Sequence, residues 1–201
     1  MIRWLIPTYF LRLPKGARVR LAALAALCAM MWASPMAAAY AQPTILVLGD
    51  SISAAYGIQR EQGWVQRLAE RVAGMDPSWQ VINASISGET TGGGLARLPD
   101  SLETHDPDVL IIELGGNDAL RGYPIVRIRE NILDMVELGL EARSRVLLIG
   151  MQIPPNYGPR YTQEFSSLFR TVSDQTQVPL VPFILEPVAL TPELMQSDGI
   201  H

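Results

Sequence analysis

Sulfur and imidazole are scarce in this sequence. Its 201 residues hold one cysteine, Cys28, and two histidines, His105 and His201. Because Cys28 lies in the first 41 residues, the rest has no thiol for a disulfide, a thiolate nucleophile or a zinc site. Two histidines without cysteine leave a metal centre unsupported. Neither a metal nor an organic cofactor is expected, and the domain must be held together by core burial, for which about 160 residues suffice.

Long apolar runs are missing too. Leu21–Ala33 is an unbroken apolar stretch of 13 residues, short of the roughly 18 or more that a membrane-spanning helix needs. It follows a basic segment with Arg3, Arg12, Lys15, Arg18 and Arg20 and no acid, and it precedes Ala39-Tyr40-Ala41, which places small residues where a signal peptidase reads them. The pattern predicts a signal peptide over residues 1–41 and a mature start near Gln42. The product would be periplasmic or secreted, with no stable membrane insertion after cleavage. An uncleaved anchor is the alternative.

Basic charge is depleted in the remainder. Five of the 16 basic residues and none of the 20 acids fall in residues 1–41, so 11 basic residues face 20 acids and the formal charge is −9. Phosphate binding needs clustered Lys and Arg, so nucleic acid is disfavoured as a main partner, as is an anionic membrane, and neither is expected. A chain that is 48% hydrophobic and 18% charged, without repeat or low-complexity stretch, reads as one globular domain over residues 42–201.

Four short apolar runs rich in β-branched residues stand out: Thr44 to Leu48, Gln80 to Ala84, Asp108 to Glu113 and Arg145 to Ile149. They read as strands buried on both faces, with Val178 to Val181 as an edge strand. Between them, Trp64, Val65, Leu68 and Val72 share one helical face, as do Ile125, Ile128, Ile132, Met135 and Val136 behind Pro124. Gly92 to Glu103 and Tyr161 to Gln175 are further helices. Strand and helix in alternation predict a parallel sheet with helices on both faces, whose chemistry gathers at the carboxyl ends of the strands.

Three polar blocks lie at such places, and a fourth stands at Ser197 to His201. Gly49-Asp50-Ser51 follows the first strand, where a serine can offer both hydroxyl and backbone N–H to one substrate atom. Gly88, in Ser85-Ile86-Ser87-Gly88-Glu89-Thr90, lets the backbone turn an N–H inward. Asn117, in Leu114-Gly115-Gly116-Asn117-Asp118, carries an amide that can donate to an oxyanion. Asp198 stands three residues before His201, a spacing that lets the carboxylate hold one ring nitrogen while the other faces a nucleophile. Singly, each has a plainer reading, as an N-cap, a turn or a solvated loop; His105 is read as a solvated turn residue. No G-x-S-x-G elbow occurs, which disfavours an α/β-hydrolase.

In this order the four blocks resemble the signature of the SGNH, or GDSL-like, hydrolases. NASISGET, GLARLP, ELGGND and MQIPPNYG are similar to its bacterial arylesterase, thioesterase I and lysophospholipase branch. The resemblance runs from about Thr44 to His201 and implies a flavodoxin-like three-layer α/β/α sandwich. It implies Ser51 as nucleophile, His201 as base, Asp198 as its orienting acid, and the Ser51 N–H, Gly88 N–H and Asn117 as oxyanion donors. The substrate would be a small acyl ester or thioester, cleaved by a monomer. The loops Ala119 to Tyr123 and Ile153 to Tyr161 would line the acyl pocket. Two features depart from the family. Gly92-Gly93-Gly94 is a flexible run at the start of a helix, and the family continues past its DGIH block into a final helix, so the domain is expected to be C-terminally truncated. The rival readings are an exported binding module using the same cleft without turnover, and an inactive fragment.

Overall fold

Pleating decides the layers. In the computed structural model, which describes residues 42–201, β1 (Thr44–Gly49) is buried along its whole length. Its alternate side chains therefore serve two cores. Leu46 and Leu48 point to one face, joined by Leu110 and Ile112 of β3 (Val109–Glu113) and by Val146 and Leu148 of β4 (Arg145–Ile149). Ile45, Val47, Ile111 and Ile149 point to the other. The expected signal peptide, residues 1–41, lies outside the described residues.

All strand pairs are parallel, and the order is β2-β1-β3-β4-β5, with β2 at Gln80–Asn83 and β5 at Leu180–Val181. This is the flavodoxin-like order, whose switch point lies between β1 and β3. The α/β/α expectation is met, with unequal layers. On the first face lie α2 (Thr91–His105), α4 (Ile125–Glu141) and α5 (Pro159–Thr176), contributing Leu98, Ile132, Met135, Phe165 and Phe169, each at most 2% exposed. On the other, α1 (Trp64–Met75) brings Trp64, Val65, Leu68 and Val72. Two short helices, α3 (Gly116–Leu120) and α6 (Glu186–Ala189), sit beyond the strand ends. Among the described residues no helix is long and apolar enough to cross a membrane.

Four sequence expectations change. β2 is not buried on both faces: its ends are exposed and its middle half-buried, because it is an edge strand paired to β1 alone. The three-glycine run forms the first turn of α2, with Thr90 Oγ1 accepting the Gly93 N–H at 3.2 Å. Gly94 is buried there, and a Cβ on it would fall 2.3 Å from Leu114 Cδ1, so that glycine serves close helix-to-sheet approach rather than flexibility. His105 closes the last turn of α2 instead of standing in a loop. Finally, no helix starts directly after Ser51. Residues 51–57 form turns in which Ala55 and Gly57 take positive φ, and apart from one 3-10 turn at Arg60–Gln62 no helix follows until Trp64.

Candidate active site

The carboxyl ends of β1 and β3, the two strands that flank the switch point, carry the first and third polar blocks. Ser51 follows β1 by two residues, and Asn117 lies in α3 just after β3. Ser51 Oγ is 2.7 Å from His201 Nε2, across 150 residues of sequence. His201 Nδ1 lies 2.6 Å from Asp198 Oδ2. Ser51, Asp198 and His201 are thus one hydrogen-bonded chain.

The spacing of three between Asp198 and His201 has a local cause. Asp198 Oδ1 accepts the N–H of Ile200 at 2.9 Å and of His201 at 3.0 Å, closing a turn of the Asx kind with Gly199 at φ +69°. One carboxylate oxygen folds the loop and the other holds the ring. These contacts, the His201 N–H first and its ring second, lower the Asp198 carboxyl to about 2, so it is anionic wherever an imidazole base works. The loop is tied down by Gln196, whose side-chain amide donates to the Tyr56 carbonyl at 2.8 Å. Gly57, at φ +75°, leaves that amide its place, since a Cβ there would meet the Gln196 amide and push it off the Tyr56 carbonyl. The Tyr56 ring leans on the His201 ring at 4.7 Å between centroids.

Each of the three expected oxyanion donors keeps an N–H unpaired among the described residues. Among the described residues, neither the Ser51 N–H nor the Gly88 N–H has a hydrogen-bond partner. Gly88 takes φ +81°, and a Cβ there would touch nothing within 4 Å; backbone conformation, not crowding, requires glycine. The Asn117 amide gives one N–H to Asp50 Oδ2 at 3.0 Å, keeping its second for the cleft. The neighbouring Asp118 is structural: it is buried and accepts the Thr91 N–H at 2.8 Å and hydroxyl at 2.6 Å, locking the third block to the start of α2.

Sequence reasoning missed two features. The first is a pair of buried acids below the Ser51 turn. Asp50 is 2% exposed and Glu113 1%. Burial pushes the Asp50 carboxyl up to about 6 against the pull of the Ile52 and Asn117 hydrogen bonds. Burial first, and then the charge of Asp50, push Glu113 well above the carboxylate range. Glu113 closes the apolar run VLIIE, a place where an acid reads as the first solvated residue, so the sequence carried no signal of its burial. The second feature is the far wall of the cleft. A cavity of about 510 Å³ opens from Ser51, Asn117 and His201 between Met151–Pro155 and the segment 183–190. Of the expected lining, Leu120, Ile153, Pro154 and Pro155 take part. Leu120 belongs to α3, not to a loop. Phe183, Leu185 and Leu190 were not anticipated, since their irregular spacing has neither strand nor helix period. Among the described residues no group of three or more His, Cys, Asp or Glu is placed to hold a metal ion.

This geometry agrees with comparisons to known proteins. Residues 47–201 match the model of the GDSL-like lipase/acylhydrolase family. The chain is 48% identical over 161 residues to the esterase TesA of Pseudomonas aeruginosa, covering 80% of each chain. It is 40% identical over 167 residues to the thioesterase 1/protease 1/lysophospholipase L1 of Escherichia coli K12, covering 81% of this chain and 77% of that one. A crystal structure of TesA superposes with a TM-score of 0.76 at 49% identity, over 79% of this chain and 88% of that one. The polar blocks, the strand order and these likenesses agree, and the chain belongs to the GDSL-like lipase/acylhydrolase family.

Proposed function

We propose that the protein is an exported serine hydrolase that cleaves small acyl esters, and thioesters by the same steps, through an acyl-enzyme on Ser51. The observation that carries the reading is the Ser51–His201–Asp198 chain, with hydrogen bonds of 2.7 and 2.6 Å. Ser51 Oγ attacks the carbonyl carbon as His201 Nε2 takes its proton, and Asp198 holds the imidazolium that forms. The carbonyl oxygen becomes an oxyanion facing the Ser51 and Gly88 N–H groups and the free N–H of Asn117. As the tetrahedral adduct collapses, His201 returns the proton to the leaving oxygen or sulfur. Water then attacks the acyl-enzyme, again with His201 as base, and frees the acid. The acyl chain lies along Ile153, Phe183 and Leu190, apolar walls that take methylenes out of water. No step needs a metal or cofactor, and every group comes from one chain, so the monomer is the working unit.

The test is hydrolysis of p-nitrophenyl acetate together with labelling by a serine-directed fluorophosphonate. Activity and label should both vanish in Ser51→Ala with the melting temperature unchanged. Residual activity within tenfold of wild type would remove Ser51 as nucleophile, and a wild type that neither takes the label nor turns over would favour the binding module.

A further inference from the structure

We propose that Glu113 is a positioning residue for ester hydrolysis, acting in its neutral form from beneath the Ser51 turn through Ser53 and the Asp50 backbone. The proposal rests on Ser51 being the nucleophile. Ser51 sits in a turn that its own side chain does nothing to hold, and the contacts that fix the turn come from below. Ser53 Oγ is 2.5 Å from Glu113 Oε2, and the Asp50 N–H points to the same oxygen at 3.5 Å. One carboxyl oxygen therefore grips the residues on both sides of Ser51. The fit is tight, since a Cβ on Gly49 would fall 2.5 Å from Ser53 Oγ and 2.8 Å from Glu113 Oε2.

Asp50 extends the linkage to the oxyanion site. Its Oδ1 accepts the Ile52 N–H at 3.1 Å, and its Oδ2 takes one N–H of Asn117 at 3.0 Å. A shift of the turn thus moves the hydroxyl and N–H of Ser51 together with the Asn117 amide. The state of Glu113 follows from its surroundings. The ion pairs among the described residues join Glu89 to Arg97, Arg160 to Glu164 and Asp198 to His201, and none reaches Asp50 or Glu113. The charges felt by Asp50 are His201, which favours its ionised form, and Asp118, which opposes it. Glu113 feels Asp50. Two carboxyls buried side by side with no ion-pair partner do not both ionise, and the deeper one keeps its proton. A neutral Glu113 puts no second negative charge under the site where an oxyanion must form.

The experiment compares Glu113→Ala, Glu113→Gln, Ser53→Ala and the double variant Ser53→Ala/Glu113→Ala in hydrolysis of p-nitrophenyl acetate, with active sites counted by fluorophosphonate titration. Glu113→Ala should lower kcat per titrated site at least tenfold while KM moves less than threefold. Glu113→Gln, neutral and of the same shape, should recover most of that loss. The double variant should be no slower than the slower single variant, because both single changes cut the same contact. Three results would overturn the proposal: Glu113→Ala within threefold of wild type, Glu113→Gln as slow as Glu113→Ala, or multiplicative losses in the double variant. Should Glu113→Ala fail to fold, the volume-matched Glu113→Met takes its place in the same cycle. Activity of the wild type that survives Ser51→Ala would instead show that the nucleophile, not Glu113, had been misassigned.

Discussion

Asp50→Asn should make the protein less active and, at neutral pH, more stable. The native Asp50 carboxyl titrates at about 6 instead of 3.8, so between those values the native state binds a proton that the unfolded chain has released. Stability therefore falls as pH rises from about 4 to about 6, and the full penalty of roughly 3 kcal/mol persists above that window. Asparagine has no charge to desolvate and escapes it. Glu113, relieved of its charged neighbour, gains in the same direction. Against this, the new NH₂ faces the Asn117 amide without an acceptor, at a cost of about 1–3 kcal/mol. The net at neutral pH is thus a gain of roughly 0–2 kcal/mol, but the pH dependence is sharper than the absolute value. At pH 4.5 the native carboxyl is already protonated and the penalty is only about 1 kcal/mol. The Tm of Asp50→Asn relative to wild type should therefore be about 4–8 °C more favourable at pH 7.5 than at pH 4.5, for a domain of this size. Scanning calorimetry of both proteins at the two pH values measures the difference, in which all other titrating groups cancel to first order. A Tm difference that does not change with pH, or that shrinks toward pH 7.5, would refute the burial argument. In the same samples kcat should fall on the order of tenfold or more, since the acceptor that aims Asn117 is lost.

Asn117→Ala should reduce kcat on the order of a hundred- to a thousandfold with a much smaller change in KM, since the donor acts on charge that develops only in the transition state; equal losses in 1/KM would assign it to ground-state binding. Ile153→Trp, which fills the cleft, should depress kcat/KM for a p-nitrophenyl octanoate more than tenfold relative to the acetate, and a parallel loss on both esters would place the acyl chain elsewhere. Protein recovered from the periplasm or medium should begin at or near Gln42 by N-terminal sequencing, whereas an intact Met1 terminus would support an anchor.

The sequence made legible what depends on period and on local chemistry. Thr44 to Leu48 and Asp108 to Glu113 read as strands because a parallel sheet covered on both faces removes the polar alternation. Ile128, Ile132, Met135 and Val136 read as one helical stripe, and they are the α4 residues buried in the core. Ser51, Gly88, Asn117, Asp198 and His201 each have a plainer reading alone, and only the order of their four blocks, which resembles the GDSL-like signature, singles them out. What stayed hidden depends on packing across the chain. Nothing local says that β2 lies at an edge, that Gly94 carries α2 against Leu114, or that Phe183 and Leu190 face the cleft. Glu113 is the clearest case, since an acid at the end of an apolar run reads as the first solvated residue, and only the folding of Asp50 and Ser53 over it makes it buried.

The strand order explains why residues 150 positions apart can meet. In a sheet ordered 2-1-3-4-5, the connection leaving β1 departs toward β2 and the one leaving β3 departs toward β4, so the carboxyl ends of β1 and β3 stand together with no chain crossing between them. That gap receives the Ser51 turn from one side and Asn117 from the other. The proposed base, His201, comes from neither strand but from the segment after β5, which returns to Ser51 at the strand ends. A returning loop lacks ladder hydrogen bonds to fix it. Here Gln196 on Tyr56 and the Asp198 turn supply the missing restraint. The division of labour follows from rigidity. Under the proposed roles, the nucleophile Ser51 and the donor Asn117, whose positions must hold to a fraction of an ångström, sit at strand ends, and the Ser51 turn is clamped from below. The imidazole, which must pass a proton between two partners, is carried on a loop held at a few points.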